Sequence, residues 1–137
     1  MAKVNMSVDI NVAADKVWSL IGGFNDLSDW HPAVEKSELN ENDSVRTLYL
    51  AGGGEIIEKL LNHDDNARTY SYAITDSPLP VAEYKAEIKV TEQTEGKSTV
   101  EWSAEFNADG ASESEAEGVI KGIFQAGFDN LKKMFVG

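Results

Sequence analysis

Hydrophobic and polar positions change period twice along the chain, and the changes mark its elements. Ala2, Val4, Met6, Val8, Ile10 and Val12 alternate with Lys3, Asn5, Ser7, Asp9 and Asn11, which predicts a long half-buried strand. Ala14, Val17, Trp18 and Ile21 follow helical spacing, and Gly22-Gly23 ends that helix. Phe24 to Pro32 is short, irregular and rich in Asp and aromatic residues, and Pro32 argues against a helix running through His31. A meander of strands follows: Val34–Leu39, Ser44–Leu50, Glu55–Asn62, Arg68–Thr75, Val81–Thr91 and Lys97–Asn107. Turn signals separate them at Asn40–Asp43, Gly52-Gly53-Gly54, Asp64-Asp65-Asn66, Ser77-Pro78-Leu79-Pro80 and Thr94-Glu95-Gly96. The last two strands have the clearest faces. Tyr84, Ala86, Ile88 and Val90 oppose Glu83, Lys85, Glu87 and Lys89, and Val100, Trp102, Ala104 and Phe106 oppose Thr99, Glu101, Ser103 and Glu105.

The second change of period opens the final stretch. From Ser112 to Phe135, the residues Ala116, Ile120, Ile123, Phe124, Gly127, Phe128, Leu131, Met134 and Phe135 fall within an arc of roughly 140° at helical pitch. Ser112 and Glu115 form a capping-box pattern, with acids in the first turns and Lys132 and Lys133 in the last. A helix of this length is roughly 35 Å long and must be wrapped on its apolar side. Gly127 interrupts the stripe at a cost of about 1 kcal/mol against Ala. It leaves room either for a strand or for a ligand beside Phe124 and Phe128.

Each strand has one polar face, and the final helix has one apolar stripe. The economical solution is an α+β domain, a curved antiparallel sheet wrapped around the long C-terminal helix, with short helical structure after the first strand. Its apolar face should include Val4, Val8, Tyr84, Ile88, Val100, Trp102 and Phe106. If the sheet curls, a cavity can remain between sheet and helix.

Composition narrows the function. A chain of 137 residues suggests one domain, 1–137. No apolar run is long enough for a membrane span, the N-terminus lacks a signal-peptide layout, and cysteine is absent, all of which point to the cytoplasm without membrane insertion. The net charge of -12 argues against nucleic acid and anionic lipid as partners. The only histidines, His31 and His63, have no ligand spacing, so neither a metal nor a cofactor is expected. The triple glycine precedes a strand pattern and is not a phosphate loop. Nothing decides between a monomer and a homodimer.

Several short motifs together resemble the START-like, or SRPBCC, superfamily, and within it the polyketide cyclase/dehydrase and MxaD-like branch. They are Val17-Trp18, Phe24-Asn25, Trp30-His31-Pro32, Arg46-Thr47-Leu48, Gly53 to Leu61, Asp64-Asp65, Arg68-Thr69-Tyr70, Tyr72, Ser77-Pro78-Leu79-Pro80 and Val100-Glu101-Trp102, followed by the final helix. The resemblance covers nearly the whole chain. It implies a helix-grip fold with an internal apolar pocket, and relatives that include aromatase/cyclases and lipid and hormone carriers. It does not imply one activity.

The expected pocket is lined by Trp30, Tyr70, Tyr72, Tyr84, Trp102, Phe124 and Phe128, with His31 and Glu58 as its acid–base groups. His31 titrates near neutrality and can shuttle a proton, oriented by Asp26 or Asp29, or it can cap a backbone group. Glu58 shares a face with Ile56 and Leu60, but Ile57 and Leu61 make the other face equally apolar, so its direction is open. An inward Glu58 would be desolvated and able to act as acid or base. Arg68 can pair with Glu58 or Asp65. The tyrosine hydroxyls serve either a ligand or the core. Three functions follow: a carrier or sensor of a small hydrophobic or aromatic molecule, a cyclase or dehydratase-like enzyme using the same cavity, or an interaction module with a filled core.

Overall fold

The structure, a computed structural model, describes residues 2–40 and 42–135. Met1 and Glu41, the latter within the predicted turn at Asn40–Asp43, lie outside the described residues. The alternating N-terminus is strand β1 (Ala2–Ile10), which stops short of the expected Val12. Helix α1 (Ala14–Ile21) buries the four residues of its apolar face, Ala14, Val17, Trp18 and Ile21. The aromatic segment contains one helical turn, α2 (Leu27–Trp30), which ends before Pro32. Strands β2 (Val34–Leu39), β3 (Val45–Leu50), β4 (Glu55–Asp64), β5 (Thr69–Asp76), β6 (Val81–Thr94) and β7 (Lys97–Ala108) follow, and α3 (Glu113–Met134) closes the chain.

All seven strands form one antiparallel sheet in the order β1-β7-β6-β5-β4-β3-β2. The first strand returns to pair with the last, and α3 packs on both. The inward faces are those predicted: Val4, Tyr84, Ile88, Val100, Trp102 and Phe106 are buried and Val8 is half-buried. Tyr84 lies within a bulge between Ala82 and Lys85, where Glu83 has φ 53°. The bulge is one way a strand re-aims a side chain.

Helix α3 starts where Ser112 accepts a hydrogen bond from the Glu115 backbone N–H at 3.1 Å, satisfying one of the unpaired donors of its first turn. It buries Ala116, Ile120, Phe124, Gly127, Phe128 and Leu131. Met134, expected in the stripe, is exposed, whereas the adjacent Phe135 is half-buried against the core. At the other end of the sheet, Trp18 Nε1 donates to Asp65 Oδ1 at 3.0 Å and His63 Nε2 lies 2.9 Å from the Gly22 carbonyl, so the turn after β4 holds α1. Arg68 falls in that turn with φ 54°, not in β5. It pairs with Asp15 at 2.6 Å rather than with Glu58 or Asp65. Among the described residues no helix is long and apolar enough to cross a membrane.

Candidate ligand-binding cavity

The open direction of Glu58 is settled by the pairing of β3 with β4. Arg46 stands opposite Glu58 and Leu48 opposite Ile56, and all four are buried on the concave side. Arg46 Nε donates to Glu58 Oε1 at 2.7 Å, and Nη2 lies 2.6 Å from the same oxygen. Arg46 Nη1 donates to the Phe24 carbonyl. The guanidinium carbon sits 4.3 Å from the Phe24 ring centroid, 5.0 Å from Tyr72 and 5.7 Å from Tyr70. The cation is therefore surrounded by aromatic rings and by its carboxylate. Burial, the largest single influence, opposes its charge, but the Glu58 carboxylate together with Tyr70 and Tyr72 outweighs it, and the Arg46 pKa rises above its ordinary value. Burial raises the Glu58 pKa, against the opposing pull of Arg46.

Above this pair lies a cavity of about 240 Å³ between the sheet and the first half of α3. Its walls are apolar: Leu48, Ile56, Ile123 and Phe124 among others, with Ala33, Ala51 and Val119 exposed at its mouth. Glu58, Tyr72, Tyr84, Trp102 and His31 also line it. Trp102 Nε1 donates to the Tyr72 hydroxyl at 3.0 Å, and the Trp102 ring stacks on Phe124 with centroids 4.2 Å apart, a pairing worth about 1 kcal/mol beyond burial. Burial pushes the Tyr72 and Tyr84 hydroxyls above the ordinary tyrosine pKa, so both remain protonated. Among the described residues, no group donates to the second oxygen of Glu58, Oε2.

His31 is held by backbone groups on both sides. Its Nε2 lies 2.8 Å from the Ile123 carbonyl, and its Nδ1 accepts from the Ala33 N–H at 3.1 Å. These partners require the neutral tautomer protonated at Nε2. Burial lowers its pKa, while the bond to Ile123 opposes the shift. Asp26 and Asp29 are not its partners.

Gly127 makes this docking possible. A Cβ there would lie 2.9 Å from His31 Cδ2, 3.0 Å from Trp30 Cζ3 and 3.1 Å from Trp102 Cζ3. The missing side chain is thus replaced by three rings, neither by a strand backbone nor by a ligand. One turn earlier on α3, the Ile123 carbonyl is reached by His31 across this notch. Asn130 Nδ2 donates to the Trp30 carbonyl at 2.7 Å, giving α2 a second tie to α3.

The structure thus gathers His31, Glu58, Tyr72, Tyr84, Trp102 and Phe124 around one cavity and places three expected members elsewhere. Trp30 is packed against Trp102 at 5.5 Å in the Gly127 notch. Its Nε1 is buried without a hydrogen-bond partner among the described residues. Tyr70 lies beside Arg46 and Phe24, behind the cavity floor. Phe128 lies one turn further along α3, 6.1 Å from Trp102. Arg46 was absent from the expected site, although it is in phase with Leu48 and Leu50, an unusual place for a charge.

A family model described as polyketide cyclase/dehydrase and lipid transport matches residues 1–135. The protein XoxI from Bacillus cereus is 40% identical over 98% of this chain and 96% of its own, with a TM-score of 0.96. A START superfamily protein from Mycobacterium smegmatis shares 8% identity over 98% of this chain and 97% of its own, with a TM-score of 0.82. The Zhui aromatase/cyclase from a Streptomyces species shares 17% identity over 96% of this chain and 92% of its own, with a TM-score of 0.77. The last two show the fold alone. The comparison with curated proteins gives no match.

Proposed function

We propose that this chain, which belongs to the polyketide cyclase/dehydrase and lipid transport family, binds a small hydrophobic or aromatic molecule between sheet and α3 as a carrier or sensor. The observation that carries this reading is the cavity of about 240 Å³, open between Ala33, Ala51 and Val119 and walled by apolar side chains. Its volume falls below the range of roughly 300–1,000 Å³ usual for drug-sized ligands, which favours a molecule of one ring or a short chain. Unfilled space of this size counts against an interaction module with a filled core.

A second reading, a cyclase or dehydratase-like enzyme, keeps the same cavity and adds acid–base chemistry by Glu58 and His31. The unused Oε2 of Glu58 favours it. The two occupied nitrogens of His31 count against a proton shuttle there. Calorimetric titration with ethylbenzene tests the binding reading. Saturable binding is expected, and Ile56→Phe, which fills the cavity, should abolish it while the protein stays folded. Equal binding by this variant would place the ligand elsewhere and overturn the reading. If the enzymatic reading holds, Glu58→Gln should lower turnover of a substrate by roughly 10²–10⁴.

A further inference from the structure

We propose that the cavity selects an apolar molecule of about one ring that carries a neutral hydroxyl group, and that this hydroxyl donates a hydrogen bond to Oε2 of Glu58. The inference deepens the binding reading above and rests on it. Its first support is an asymmetry within the ion pair. Both close Arg46 nitrogens fall on Oε1, whereas Oε2 receives no donor among the described residues although Glu58 lines the cavity. Oε2 is not one of the fully enclosed unpaired polar atoms, which among the described residues are Trp30 Nε1 and Arg46 Nη2, so it keeps surface that a molecule entering the cavity can reach. A ligand O–H would give it a charge-assisted hydrogen bond in apolar surroundings.

The second support is the sign of the charge that the cavity presents. Arg46 does not line it, since Phe24, Tyr70 and Tyr72 surround the guanidinium, Nη1 donates to the Phe24 carbonyl and Nη2 is enclosed without a hydrogen-bond partner among the described residues. A ligand therefore meets the carboxylate and not the cation. An anionic ligand is repelled there. An ammonium group would add a charge to a pair that is already neutral, in surroundings where each buried ion costs several kcal/mol. A hydroxyl adds no charge, and its oxygen can still accept a bond. Tyr84, which lines the same cavity, is a protonated phenol able to supply one.

The test compares four probes of one shape by calorimetry at neutral pH: ethylbenzene, 4-ethylphenol, 4-ethylbenzoate and 4-ethylbenzylammonium. The expected order places 4-ethylphenol about tenfold or more tighter than ethylbenzene, the advantage of a hydrogen bond to a charged acceptor, and both ions below ethylbenzene. In the double variant Arg46→Met with Glu58→Leu, the phenol should lose its advantage over ethylbenzene. A readout that needs no variant is the Glu58 carboxylate carbon resonance, which should move with 4-ethylphenol and not with ethylbenzene. Equal affinity for these two, a preference for either ion, or a stationary Glu58 resonance overturns the proposal and leaves the binding reading standing. If none of the four binds, the binding reading falls and the proposal falls with it.

Discussion

Arg46 and Glu58 occupy paired positions on neighbouring strands, and the bond between Nε and Oε1 is 2.7 Å long beneath the cavity floor. The pair costs desolvation on both sides, so removing one partner should be worse than removing both. Arg46→Met alone leaves a buried carboxylate unpaired and should cost about 3–5 kcal/mol, whereas the double variant with Glu58→Leu should recover most of that loss. Denaturant titration of the two variants checks this. Equal losses would mean that the pair is not coupled.

His31 predicts a specific response to acid. Burial depresses its pKa below the ordinary value of 6.5, so the unfolded chain binds the proton first. Its contribution is fully present above about pH 6.5 and is lost as pH falls through the lower, folded value, with a slope of at most about 1.4 kcal/mol per unit. Glu58 runs the other way. Its raised pKa means stability is lost as pH rises from the ordinary glutamate range through the folded value. The measurement is therefore the difference between wild type and His31→Gln in denaturation midpoints on either side of pH 6.5. A wild-type excess of acid sensitivity is expected, and parallel pH profiles would contradict it.

Two glycines of α3 should respond to alanine with opposite signs. Gly122 is exposed and a Cβ there meets nothing within 4 Å, so Gly122→Ala should stabilise by up to about 1 kcal/mol. Gly127→Ala gains the same helical propensity but drives a methyl group against three buried rings. Overpacking of this kind costs about 1–3 kcal/mol, so the net effect should be a loss, with displaced His31 ring resonances. Stabilisation by both substitutions in thermal melts would contradict the ring-filled notch.

The fold was legible because its information is local. Tyr84 to Val90 and Val100 to Phe106 alternate without interruption, and the stripe of α3 keeps one period from Ala116 to Leu131. The site was legible only in part, since it depends on which strands pair and in what register. The direction of Glu58 could not be read from β4, where Leu60 is half-buried and the adjacent Leu61 is exposed beside a bulge between Leu60 and Asn62. Arg46 becomes visible only once the hairpin sets it opposite Glu58. Gly127 advertised space, but the rings of Trp30 and His31, distant in sequence, fill it.

The measurement that bears most directly on the cavity is anomalous diffraction from crystals exposed to iodobenzene, since an apolar cavity takes up molecules of this kind. An iodine peak is expected among Leu48, Ile56 and Phe124, above the Arg46–Glu58 pair. A cavity closed by rearranged Phe124 and Trp102 rings, or iodine bound only on the outer face of the sheet, would contradict it.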